Sequence, residues 1–181
     1  ELYALPNIEL GNVDCSINIT TSDTENPYEI NIPIQILVSL DQKGFPIDDI
    51  VIKSSPIIAD LYGNNFKSII FGSDNDNVYG YMMDGIEMFG FPYATDDDVR
   101  SSPAVADLDK NNSMELIIGS HDGSLHILSG FGQQLATHQV NGSINGSPAA
   151  VDLDQDGDLE VVFTSYNGST GDVHAIHHTG S

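Results

Sequence analysis

The stretch Asp152-Leu153-Asp154-Gln155-Asp156-Gly157-Asp158-Leu159-Glu160 sets carboxylates at its first, third, fifth and ninth positions around a glycine. Calcium, a hard cation, takes six to eight oxygen ligands at about 2.3–2.6 Å. Asp152, Asp154, Asp156 and Glu160 can supply most of that shell, and Asp158 would add its backbone carbonyl. Gly157 lets the chain fold back, because glycine enters left-handed backbone conformations without steric cost. Without a cation, the mutual repulsion of these carboxylates would destabilise so tight a turn. An EF-hand needs its bidentate Glu at the twelfth position, here Phe163. The Glu comes at the ninth instead and leads into Val161-Val162-Phe163, so the spacing predicts a calcium loop inside a β-hairpin.

A weaker copy precedes it. Asp107, Asp109, Asn111, Ser113 and Glu115 keep the spacing with less charge, and Asn112 replaces the glycine. Asn tolerates left-handed geometry better than most residues, so weaker calcium binding is expected there. A third version holds Asp60, Tyr62, Asn64 and Ser68; Tyr62 and Ser68 replace two carboxylates, and Asp60 reads as a turn-capping residue without a metal.

Other reactive groups carry less. On a strand His174 and His178 share one face and His177 the other, with no ligand spacing around them, so they read as surface histidines. No Ser stands in a Gly-x-Ser-x-Gly elbow. Asn18, Asn141, Asn145 and Asn167 begin matches to the glycosylation acceptor motif, which is common by chance. Tyr79, Tyr81, Phe89, Phe91 and Tyr93 read as packing aromatics, and Asp96-Asp97-Asp98 as a solvated loop.

The elements that must position these loops repeat. Ser55-Pro56, Ser102-Pro103 and Ser147-Pro148 each open a short apolar strand ending in Asp, and the prolines stand 47 and 45 residues apart. Periods of roughly 40–50 residues mark propellers or solenoids. After each loop comes a second strand: 68–72, 115–119 or 160–164. An Asx/Gly turn follows (73–77, 120–124 and the longer 165–172), then a third strand at 78–81, 125–128 or 173–176. Fourth strands are expected near 90–93 and 135–138. Four short strands per unit is the plan of a propeller blade. Ile57, Val105 and Ala150 align as inner-strand positions, as do Ile70, Ile117 and Val162.

The shared Ser-Pro-Ala-Val-x-Asp-Leu-Asp, the acidic loop, the Ile-Ile-Gly-Ser strand end and the Asp-Gly turn resemble FG-GAP/VCBS-type repeats, the blades of integrin-α-like β-propellers. The resemblance covers 41–181, with repeats near 55–101, 102–146 and 147–181. It implies a calcium-stabilised propeller of the kind found in secreted and cell-surface proteins. It does not imply one function, since function lives in sites grafted onto a fold.

Composition narrows the partners. With 27 Asp and Glu against 5 Lys and Arg, the formal charge is −22 over 181 residues. Such a surface repels nucleic acid and anionic lipid headgroups, and no apolar run is long enough for a membrane helix, so neither nucleic-acid binding nor membrane insertion is expected. Cys15 is the one cysteine, which excludes an internal disulfide. The chain opens at Glu1-Leu2-Tyr3 without a signal peptide and reads as an excised or mature segment of a larger protein. Residues 1–40 lack the repeat signature. Two alternating runs, 12–20 and 29–38, read as strands joined by a polar loop. Gly44-Phe45-Pro46 echoes Gly90-Phe91-Pro92, so 29–50 reads either as the outer strands of a degenerate blade or as the tail of a preceding β-sandwich.

The expected protein is therefore all-β, a β-propeller segment of three recognisable four-stranded blades plus a degenerate N-terminal β region. Its expected role is an extracellular, non-catalytic binding or scaffold module, for adhesion or for recognition of a carbohydrate or protein ligand. The alternative is one wall of a propeller-bearing enzyme such as a polysaccharide lyase or hydrolase. Basic clamps for an acidic polysaccharide are few: Lys43, Lys53, Lys67, Arg100 and Lys110. Three blades do not close a ring, and the last unit stops near Ser181 short of a fourth strand, so self-association through open blade faces is expected, the alternative being a last blade that borrows a strand from elsewhere in the chain or from a partner.

Overall fold

The structure is a computed structural model that describes residues 11–20, 29–38 and 41–177. His178, the loop expected at 21–27 and both chain ends lie outside the described residues. The chain divides into two compact units between Pro46 and Ile47.

In the first unit, β1 (Gly11–Thr20) and β2 (Glu29–Val38) form an antiparallel ribbon with one uninterrupted register, Gly11 opposite Val38 through Thr20 opposite Glu29. Ile17 faces Ile32 across the ribbon, and Gln35 Nε2 donates to Asp14 Oδ1 at 3.1 Å. β2 thus pairs along its whole length with β1, and 41–50 form no strand.

The second unit holds three antiparallel meanders. The first contains β3 (Ile57–Ala59), β4 (Ser68–Gly72), β5 (Asn77–Met82) and β6 (Tyr93–Ala94). The second contains β7 (Ala104–Ala106), β8 (Glu115–Gly119), β9 (Ser124–Leu128) and β10 (Gln134–Gln139). The third contains β11 (Ala149–Val151), β12 (Glu160–Tyr166) and β13 (Gly171–His177). The described residues are all-β: several small antiparallel sheets and no helix.

The apolar runs explain the layering. β8 carries Leu116-Ile117-Ile118 and is buried on both faces, as a strand clamped between two neighbours must be. Leu116, Ile118 and Leu128 close one core with Ile70 and Val78 of the first sheet and Val99 of the segment that follows it. Ile117, Leu125 and Ile127 close a second core with Val161 and Phe163 of the third.

Three expectations need correction. Ile70, Ile117 and Val162 pair with Ile57, Ala104 and Ala149, so Val105 and Ala150 lie one residue out of register with Ile57. A one-residue slip changes the face a strand residue presents. Pro92 has no N–H to give a ladder, and the N–H of Phe91 turns back to Met88 O at 3.1 Å, so the fourth strand begins only at Tyr93. The third Asx turn is shorter than 165–172. β12 runs on to Tyr166 and β13 begins at Gly171, while Asn167 Oδ1 accepts the N–H groups of Ser169 and Thr170 at 3.0 and 2.9 Å.

Candidate metal centre

Each loop between the first and second strand of a sheet follows one backbone course. The sixth residue is left-handed in all three: Asn65 (φ 66°), Asn112 (φ 67°) and Gly157 (φ 94°). So is the fourth: Gly63 (φ 64°), Lys110 (φ 60°) and Gln155 (φ 66°). The opening Asp holds the turn through its carboxylate. Asp60 accepts the N–H groups of Asn64 and Asn65 at 3.1 and 2.7 Å, Asp107 those of Asn111 and Asn112 at 3.0 Å each, and Asp152 that of Gly157 at 3.1 Å. The fifth side chain accepts the seventh N–H: Asn64 from Phe66 at 3.0 Å, Asn111 from Ser113 at 2.6 Å, Asp156 from Asp158 at 2.8 Å.

In the third sheet's loop, one carboxylate oxygen from each of Asp152, Asp154 and Glu160 lies within 4.8 Å of the others. Glu160 is buried because it opens β12, and its Oε2 accepts the N–H of Leu153 at 2.8 Å. Its Oε1 and Asp152 Oδ1 are buried with no hydrogen-bond donor. His177 Nδ1 stands 3.1 Å from Glu160 Oε1, at ion-pair distance but without hydrogen-bond alignment. Two buried oxygens without a hydrogen-bond donor, on carboxylates that converge with Asp154, suit a cation, because a buried charge needs a partner. Asp156 and Asp158 stay outside that triad. The first is engaged with the turn, and Oδ1 of the second is 2.7 Å from Lys110 Nζ of the preceding loop.

In the second sheet's loop, Asp107, Asp109 and Glu115 converge in the same way. Glu115 Oε2 accepts the N–H of Leu108 at 2.8 Å, the counterpart of the Glu160 bond. Burial, reinforced by the charges of Asp109 and Asp107, pushes the Glu115 carboxyl above its ordinary pKa against the pull of the Leu108 N–H. Asn111 is bound up locally, its Nδ2 donating to Asp109 Oδ2 at 2.8 Å, and Ser113 is exposed. In the first sheet's loop the third position is spent on packing, since Tyr62 stacks on Phe131 with ring centroids 4.8 Å apart.

A third acidic group escaped sequence reasoning. Asp76, Asp97 and Asp98 bring carboxylate oxygens within 4.8 Å of one another. The 96–98 run is thus not simply solvated. Asp98 pairs with Arg100 at 2.6 Å, and Asp97 Oδ2 lies 3.3 Å from His121 Nδ1. Arg100 also grips Asp74, at 3.0 Å from its Oδ1, and with Lys53 holds that carboxyl below the usual range. The adjacent Asp-Asp-Asp and Arg were visible in sequence, but Asp74 and Asp76 arrive from a different turn.

The chain is similar in fold to the V. cholerae biofilm matrix protein Bap1, whose crystal structure superposes with a TM-score of 0.55 at 18% identity, covering 94% of this chain. The chain spans 27% of the length of Bap1. No family model matches it, and no curated protein matches its sequence.

Proposed function

We propose that the three meanders are blades of a calcium-stabilised β-propeller segment, and that the segment serves as an extracellular, non-catalytic binding or scaffold module of the FG-GAP/VCBS type. One observation carries the calcium reading: the loop course recurs, and the copy richest in carboxylates leaves Asp152 Oδ1 and Glu160 Oε1 buried without donors. The oxygen-only donor set favours a hard cation, and an irregular loop suits calcium better than magnesium, which demands a tight octahedron and gives up water reluctantly. Asp107, Asp109 and Glu115 would form a weaker site. Likeness in fold to a biofilm matrix protein supports an extracellular setting and an adhesive or scaffolding role.

The test is thermal melting of the chain in excess calcium, in magnesium and in EDTA. Calcium at a hundredfold excess over Kd should add about 2.7 kcal/mol of stability. Asp154→Ala should abolish most of the response, and magnesium should substitute poorly. Identical melting with calcium and with chelator overturns the metal reading.

A further inference from the structure

At the end of the second and third sheets opposite the acidic loops lies an open groove of about 430 Å3. β12 connects the two sites: it starts at Glu160 of the metal centre and ends at Tyr166 of the groove. Six steps of strand put them about 20 Å apart. His121, Asn141, Ser143, Asn145, Tyr166 and Asn167 line it, from three separate turns.

Its chemistry is specific. Tyr166 is 53% exposed, while Phe163, three residues earlier on the strand, is buried between the rings of His138 and His174. The backbone beneath Tyr166 is pinned: Ser143 N–H donates to Tyr166 O at 2.9 Å and Tyr166 N–H to Ser143 O at 3.0 Å. The aromatic ring is thus presented on a fixed floor, which lowers the ordering cost of binding. Around it stand the exposed amides of Asn141 and Asn145, each with two donors and an acceptor, and the His121 imidazole. Asn167 is committed to its own turn and serves as wall. No Lys or Arg lines the groove, and the chain carries a formal −22.

We propose that this groove binds a neutral saccharide, with one pyranose face on the Tyr166 ring and hydroxyls bonded to Asn141, Asn145 and Nε2 of His121, whose Nδ1 is turned to Asp97. The electron-rich face of an aromatic ring attracts the weakly positive C–H groups of a sugar face. Side-chain amides can both donate to and accept from hydroxyls, whereas an anionic sugar would meet a repulsive field with no cation to pair it. The volume falls in the range of roughly 300–1,000 Å3 typical of small-ligand sites. The inference rests on the reading of the chain as a binding module and gives that module a site and a ligand class.

The experiment is calorimetric titration of the full 181-residue chain, from a bacterial host, with neutral malto-, cello-, manno-, xylo- and chito-oligosaccharides and with anionic polygalacturonate oligomers. At least one neutral series should bind. Tyr166→Ala should weaken that binding about tenfold or more, Tyr166→Phe should leave it within about threefold, and Asn145→Ala should weaken it measurably. Melting curves establish that each variant is folded; should Tyr166→Ala fail, Asn145→Ala and Asn141→Ala carry the comparison. No neutral sugar bound, binding indifferent to all these variants, or binding of the anionic series alone overturns the proposal. Calcium-dependent melting without sugar binding would sink this inference alone, and sugar binding with calcium-independent melting would sink only the metal reading.

Discussion

Gly119 is pressed against Ile144: a Cβ on Gly119 would stand 2.1 Å from Ile144 Cγ2. The same contact recurs one sheet earlier, where a Cβ on Gly72 would meet Val99 Cγ1 at 2.4 Å. Val99 and Ile144 lie in the segments leading to the next sheet, so in these two sheets the glycine that ends the second strand is where the following connection crosses. The bond network confirms the crossing, with Gly119 N–H donating to Ser101 Oγ at 3.3 Å and that hydroxyl donating to Gly146 O at 3.1 Å. The third sheet has Thr164 in this place, and it is exposed.

Gly119→Ala should therefore destabilise the second unit by about 1–3 kcal/mol, the usual cost of overpacking a tight core. Thr164→Ala should cost less, under about 1 kcal/mol, since the exposed side chain only rests its Oγ1 against Gly146 and its loss creates no clash. Urea denaturation of the two variants decides it. Equal midpoints would mean that Ile144 can move aside.

Ile117 is fully buried and Asp97 is not. Ile117→Ala should cost about 2–5 kcal/mol by leaving a cavity in the second core. Asp97→Ala should cost far less, since it removes an acceptor shared with solvent. Comparable melting temperatures for the two variants would contradict the assigned core.

Much of this was legible because converging carboxylates and packed strands both need fixed residue types at fixed spacings. Carboxylates at the first, third and ninth positions announced the triads of Asp152 and Asp107, and Leu116-Ile117-Ile118 announced a second strand, though not its burial on both faces. Other features leave no such trace. The left-handed fourth position is filled by Gly63, Lys110 and Gln155, three residue types with nothing in common. The register of the first strands, by contrast, was legible: Ile57 and Ala104 both directly follow Ser-Pro and share a pairing position, which the expected alignment with Val105 missed by one residue. The groove is assembled from His121, Asn145 and Tyr166, which only the packing of two sheets brings together.

Lys110 places an ammonium on the third sheet's loop, 2.7 Å from Asp158, across a pair that is more than half exposed on both sides. A surface pair of this kind contributes little to stability, but its charge opposes an incoming cation. Lys110→Met should leave the melting temperature of the calcium-free protein nearly unchanged and raise calcium affinity a few-fold at low salt, an advantage that added salt screens. An unchanged calcium titration would show that the ammonium stands too far from the bound ion to matter.

His126 links stability to pH. Tyr93 hydroxyl donates to Gln134 Oε1 at 2.6 Å, so at 3.1 Å it accepts from His126 Nδ1, and His126 Nε2 is buried with no partner. Burial holds the imidazole below its ordinary range despite the pull of Asp122 and Asp96. The unfolded chain then takes up a proton that the folded chain refuses, so stability is lost as pH falls below the ordinary histidine value of about 6.5. His126→Gln should flatten the decline between pH 7 and pH 5, each protein being compared with itself. Parallel profiles for the two proteins would remove His126 from the account. Glu115, shifted upward, works in the opposite direction but equally in both proteins.

Association should follow from the two outer sheets. The first and third meanders each pack on the second, and each also carries bare apolar side chains: Ile58 is 64% exposed and Val173 77%. Uncovered apolar faces and strand edges favour contact with another chain. Light scattering at micromolar concentration should therefore give a mass above the 19.5 kDa of one chain, falling toward it on dilution. Val173→Lys and Ile58→Lys should each shift that equilibrium toward the single chain, because a charge on the contact face must be desolvated for the interface to form. A compact single chain at every concentration, unchanged by either substitution, would mean that these faces are not used for self-association.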